Sequence, residues 1–169
     1  MRLALAQIDS VVGDLDGNPD RIVTRLEQAR NAGAGLVLFP ELAVTGYPPE
    51  DLLLRPGFVR AAERALAEIA RATTGIVALV GTPHADGNLF NACAVCSDGE
   101  VKAIYRKQLL PNYGVFDEER YFTLESNDPD WSVSRIKSHY GLENFADYHA
   151  RATEVQDRHW SMTRETVSS

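Results

Sequence analysis

Two residues of this 169-residue chain have the types and positions for acid–base chemistry. Glu41 follows the apolar run Leu36–Phe39, and Lys107 stands just past the run Val101–Tyr105. A carboxylate at the carboxyl end of a strand lies where open α/β sheets place their ligand crevices. Pro40 biases Phe39 toward extended backbone and ends the ladder, so Glu41 leaves the sheet instead of continuing it. A part-buried carboxylate there can take a proton near neutral pH. A lysine beside it can hold a developing negative charge. Each has a plainer alternative. Glu41 can cap the strand or pair with an arginine, and Lys107, next to Arg106, can be a solvated surface lysine.

Other reactive residue types carry less. Cys93 and Cys96 form a C-x-x-C in "NACAVCSDG". A redox pair needs a helix N-terminus to lower its thiol pKa, and this pair falls in a predicted strand. Residues three apart in a strand point to opposite faces, and a metal would need further ligands. Buried strand residues are the better reading. His139, His149 and His159 miss the i, i+4 spacing of helical zinc ligands. "DLDGNPD" lacks the ligand ladder of a calcium loop. No GxGxxG and no Walker loop occurs, so neither metal nor nucleotide cofactor is expected in this chain.

The elements that must position Glu41 and Lys107 follow from periodicity. Leu3–Ile8, Leu36–Phe39 and Ile76–Val80 read as buried strands. Between them, Asn18-Pro19 predicts a helix start with Asn18 as cap. Ile22, Val23, Leu26 and Ala29 form that helix's inner face, and Gly33 or Gly35 ends it. A second helix is predicted over Phe58–Thr73, with Ala62, Leu66, Ile69 and Ala70 inward. "HADGN" and "SDG" predict hairpin turns around strands Leu89–Val95 and Val101–Tyr105. Strand–helix alternation followed by a meander makes an α/β fold with a mixed sheet.

Composition sets the class. Net charge is −7, with no basic cluster, which argues against nucleic acid or an anionic membrane surface as partner. No run approaches the roughly 18 apolar residues of a membrane span. Two cysteines are too few for a disulfide framework, so a cytoplasmic location is expected. Near Thr123 the texture changes: residues 123–169 hold only seven Val, Ile, Leu or Met, but three of the four His and both Trp. Helices over about 131–139 and 142–158 are expected there, and no further buried strand.

The stretches "FPELAVTGYPPEDLLLRPGF", "GTPHADGNLFNACAV" and "YRKQLLPNYGVFDEERYF" together resemble the nitrilase (carbon–nitrogen hydrolase) superfamily. "GYPPEDLL" and "LPNYGVFDEERYF" look like the N-terminal glutaminase domain of bacterial glutamine-dependent NAD+ synthetases. The resemblance covers residues 2–122 and implies an α-β-β-α sandwich, with residues 1–122 a partial hydrolase domain and 123–169 a divergent tail. It implies that Glu41 is the general base, that Lys107 stabilises the oxyanion, and that a cysteine thiolate attacks the glutamine amide. It implies that Tyr113 lies near the substrate amide and that Glu118 or Glu119 orients the site.

The family nucleophile is a cysteine well after the lysine, and this chain has none after Cys96. The ATP-dependent synthetase domain, with its Gly-rich loop, is also absent from it. The sandwich is therefore expected to be incomplete, with an uncovered apolar sheet face that favours self-association. Glutamine hydrolysis supplying ammonia for NAD+ synthesis is the implied activity, with this chain inactive for want of its thiol. The alternatives are a non-catalytic binding module or a different amidase of the superfamily acting on another small amide.

Overall fold

The computed structural model describes residues 1–112 and 116–123. The helices expected at 131–139 and 142–158, and Tyr113, lie outside those residues.

Five strands form one sheet in the order β1-β2-β3-β4-β5: β1 Leu3–Leu5, β2 Leu36–Leu38, β3 Val77–Asp86, β4 Asn88–Ser97 and β5 Glu100–Arg106. β1, β2 and β3 run parallel, and β4 and β5 return antiparallel. The parallel links need crossovers, which α1 (Gly17–Asn31) and α2 (Pro56–Arg71) supply. The antiparallel links are tight turns through Gly87 and through Asp98-Gly99, all at positive φ. This is the mixed α/β sheet expected from the pattern.

Both helices bury their predicted faces. Ile22, Leu26 and Ala29 of α1, and Ala62, Leu66, Ile69 and Ala70 of α2, pack on Val37, Ala78, Val80, Ala94 and Cys96 of the sheet. Pro56 opens α2 at a position where its missing N–H costs nothing. The start of α1 differs from expectation. Asp16 is the flanking residue, and Asn18 lies one residue inside the helix, fully buried. Its side chain accepts from Val11 N at 2.8 Å and donates to Val11 O at 2.8 Å and Val44 O at 3.2 Å. Tertiary contacts outbid the local cap, and Asn18 staples α1 to the loop after β1 and to the loop after β2.

β3 also runs beyond its apolar stretch, to Asp86. Gly81, Thr82 and Pro83 stay buried there although the hydrophobic pattern has ended. Register puts Leu3, Leu5, Leu38, Leu79, Val95, Ala103 and Tyr105 on the sheet face away from the helices. Leu3, Leu5 and Tyr105 on that face are 51%, 74% and 59% exposed. Among the described residues no helix is long and apolar enough to cross a membrane.

Candidate active site

Glu41 owes its place to a turn built directly on the sheet. Phe39 N donates to Leu79 O at 2.9 Å, extending the β2–β3 ladder, and Pro40 then ends it. Ala43 N donates to Pro40 O at 3.3 Å and Thr45 N to Leu42 O at 3.0 Å, so the chain folds sharply over β3. Leu42 sits at φ +49°, a left-handed conformation that costs a bulky residue about 1–2 kcal/mol. Its side chain is fully buried against Leu53 and Phe122, which contributes about 1.5–3 kcal/mol and offsets the strain. Gly81 lets the turn come so close. A Cβ there would sit well inside van der Waals contact of Pro40 O, Leu42 N and Glu41 Cα. Val44 N donates to Gly81 O at 3.2 Å and fixes the seat.

Lys107 arrives from the other side. Its backbone N donates to Asn91 O at 2.7 Å, one residue past the end of β5. Its ammonium donates to Glu41 Oε1 at 2.6 Å, and to Glu118 Oε2 at 2.9 Å and Oε1 at 3.1 Å. Glu118 opens a single 3₁₀ turn, Glu118–Arg120. That turn is docked by Glu118 N to Pro111 O at 3.3 Å, by Thr123 N to Leu89 O at 2.7 Å, and by Phe122 packing on Leu42. One hydrophobic cluster therefore anchors the segments that deliver both carboxylates.

The Glu118 side chain is 7% exposed, Lys107 28% and Glu41 44%. Burial works against the Lys107 ammonium. Hydrogen bonds and charge from Glu41 and Glu118 outweigh it and hold the lysine above its ordinary pKa. Lys107 therefore stays charged at neutral pH, and two carboxylates on one ammonium leave a single negative charge in excess. Such a group can accept a proton through Glu41 while a fixed cation waits beside it.

Of the residues singled out from the sequence, Glu41, Lys107 and Glu118 meet. Glu119 turns outward and accepts from Asn112 Nδ2 at 2.9 Å. Sequence reasoning missed two members. Asn91 Nδ2 donates to Glu41 Oε1 at 2.7 Å and to Glu118 Oε2 at 3.3 Å. The Tyr47 hydroxyl lies 3.3 Å from Glu118 Oε1. An asparagine in the middle of a strand whose neighbours Phe90 and Ala92 are buried was the available signal.

Both cysteines sit where burial disfavours the thiolate. Cys96 is buried on the helix-covered face, and burial, with Cys93 nearby, pushes it up to about 11. Cys93 lies on the opposite face, paired in register with Gly81 and Tyr105, and burial raises it too. Both match the reading of strand residues rather than redox ligands.

Residues 2–145 match the Carbon-nitrogen hydrolase family. The match runs past residue 122, where the quoted motifs end. Among curated relatives, the glutamine-dependent NAD(+) synthetase of Xanthomonas campestris is 54% identical over 132 residues, covering 77% of this chain and 23% of that protein. The enzyme of the same name from Thermotoga maritima is 45% identical over 124 residues, 72% of this chain and 22% of that one. The chain thus spans about a quarter of the length of these relatives. Among solved structures, the glutamine-dependent NAD+ synthetase of Acinetobacter baumannii superposes with a TM-score of 0.70 at 40% identity, over 73% of this chain and 24% of that one. A mutant of the amidase from Nesterenkonia sp. AN1, which shows covalent addition of the acetamide moiety of fluoroacetamide at its active-site cysteine, gives 0.62 at 30% identity, over 74% and 48%. The chain belongs to the carbon–nitrogen hydrolase family, and its fold is that of the nitrilase superfamily.

Proposed function

We propose that this chain carries the base-and-cation half of a glutamine amidohydrolase site, of the kind that supplies ammonia for NAD+ synthesis. The observation that carries it is the Lys107 ammonium bridging Glu41 and Glu118 at 2.6 and 2.9 Å. In the full reaction Glu41 takes the proton of a thiol, and the thiolate adds to the side-chain amide carbon of glutamine. Lys107 neutralises the oxyanion that forms. The C–N bond then breaks, ammonia leaves with the returned proton, and water hydrolyses the thioester. Hydrolysis on these groups calls for no cofactor, and ATP would serve a separate synthetase domain.

Glutamine is favoured over other amides by the 54% identity to a glutamine-dependent enzyme, against 30% to the amidase. A different small-amide specificity is the second reading, supported by the amidase's fold match. A cytoplasmic location is supported by the two cysteines, too few for a disulfide framework. The apolar sheet face supports self-association.

The chain alone is proposed to be inactive. No cysteine follows Cys96, and Cys93 and Cys96 have raised thiol pKa values without a cation to lower them. The test is ammonia release from glutamine by the purified chain, beside Glu41→Gln and Lys107→Ala. The expected result is a wild type no faster than its variants. Release by wild type that both variants abolish would overturn the inactivity and require a working nucleophile. The binding half is tested by glutamine-induced NMR shifts at Glu41 and Lys107; their absence would remove glutamine as the ligand.

A further inference from the structure

Among the described residues, Asn91 bonds to all three members of the cluster, to Lys107 through the backbone and to Glu41 and Glu118 through its side-chain amide. Its carbonyl accepts from Lys107 N at 2.7 Å, and its side-chain amide donates to Glu41 at 2.7 Å and Glu118 at 3.3 Å. It is 3% exposed, in the interior of β4, where an amide without partners would be costly. Glu118 Oε1 faces Lys107 and Tyr47, and its Oε2 faces Lys107 and Asn91. Glu41 Oε1 takes both Lys107 and Asn91. Among the described residues, Glu41 Oε2 is the only carboxylate oxygen of the cluster that no donor reaches.

We propose that Asn91 is the positioning residue of this site: it clamps Glu41 and Glu118 in one orientation around Lys107 and leaves Oε2 of Glu41 open to take a proton. A neutral amide suits this task better than a second cation. An added lysine or arginine would place a second positive charge against the carboxylates, whereas an amide N–H orients a carboxylate without neutralising it. The inference rests on the reading of Glu41 as the base, but its test reads stability and needs no turnover. A failed ammonia assay therefore leaves it standing, and its own failure leaves the glutamine reading intact.

The test exchanges amide and carboxylate. Asn91→Asp replaces the shared donor with a third carboxylate of nearly the same shape. Its neighbours Glu41 and Glu118 disfavour the charged form and together outweigh the one Lys107 ammonium they already share, so the introduced group holds its proton more tightly folded than unfolded. The penalty is then small near the ordinary Asp value of about 3.9 and grows as pH rises. Thermal midpoints of the full chain are compared at about pH 5 and pH 7.5. The expected loss in Asn91→Asp is roughly 5 °C or more at pH 7.5, shrinking by at least half at pH 5. Asn91→Ala, which adds no charge, should show a smaller change in its loss between the two pH values than Asn91→Asp.

Adding Glu118→Gln to Asn91→Asp swaps donor and acceptor at constant charge. It should recover at least half of the loss at pH 7.5, although Glu118→Gln alone is destabilising. A gap for Asn91→Asp that is the same at both pH values, or a double variant no more stable than the single, would show that Asn91 merely fills space. Where Asn91→Asp fails to fold at pH 7.5, recovery of the helical circular dichroism by the double variant decides the matter in the same way.

Discussion

Removing only the charge of Lys107 should cost stability in a strongly pH-dependent way. Lys107→Met keeps the side-chain stem and deletes the ammonium that bridges Glu41 and Glu118. Glu41 is 44% exposed, so its pairing is worth no more than a surface ion pair, about 0.2–1 kcal/mol. Glu118 is 7% exposed, and a buried carboxylate stripped of its partner costs about 3–5 kcal/mol. A ceiling applies, because a stranded carboxylate can always take a proton instead. One pKa unit is worth about 1.36 kcal/mol and the ordinary Glu value lies near 4.3. The charge penalty of Glu118 therefore cannot exceed about 4.4 kcal/mol at pH 7.5 or about 1 kcal/mol at pH 5. We expect a loss of roughly 3–4 kcal/mol at pH 7.5 and about 1–2 kcal/mol at pH 5. Urea unfolding followed by circular dichroism at both pH values reads it. Equal losses at the two pH values, or less than about 1 kcal/mol at pH 7.5, would refute the view that Glu118 is a buried charge held by Lys107.

Two further outcomes follow from the same geometry. Gly81→Ala should destabilise by about 1–3 kcal/mol, because its Cβ meets backbone of residues 40–42 that cannot rotate away; urea unfolding would show it, and a neutral effect would mean the turn is not seated on β3. Native Cys93 and Cys96 should alkylate far more slowly at pH 8 than in the urea-unfolded chain, and Cys93→Ser and Cys96→Ser should leave any ammonia release unchanged. The sign for stability follows from Cys96 at about 11: the unfolded thiol ionises first, so its contribution is present below about pH 9 and declines between there and 11. Rapid native labelling at pH 8, or a large loss of activity in either serine variant, would contradict this.

The site was legible where chemistry interrupts a pattern. Pro40-Glu41 breaks an apolar run and Lys107 follows one, so both stood out without any knowledge of the fold. Glu118 and Glu119 could not be separated, because which of two adjacent carboxylates points inward is set by a single 3₁₀ turn docked through Phe122 and Thr123. Asn91 was passed over because polarity within a strand reads as an outward position, and its partners lie 50 and 27 residues away. Asn18 failed in the opposite sense: its local propensity pointed to a cap, and contacts with Val11 and Val44 took it instead. Strand and helix order were readable because period and turn chemistry are local. The extension of β3 through Gly81–Pro83 was not, since what buries those residues is the distant turn carrying Glu41.

Stability alone does not account for this arrangement. Replacing a buried ion cluster by well-packed apolar residues is often neutral, or stabilising by about 1–4 kcal/mol. Here two carboxylates share one ammonium, a buried asparagine divides its amide between them, and the adjoining Leu42 is held in a left-handed conformation. Each feature constrains the chain more than packing requires, and all three surround Glu41, whose Oε2 meets no donor among the described residues. Strain and charge that coincide in this way support the proposal of a reaction site over a purely packing role. The anchors support that view. Leu42 and Phe122 bury themselves against each other and thereby fix Glu41 and Glu118, residues 77 apart in the chain, on a single lysine. The hydrophobic cluster stabilises the fold; what it holds in place is the pairing of two carboxylates with one ammonium.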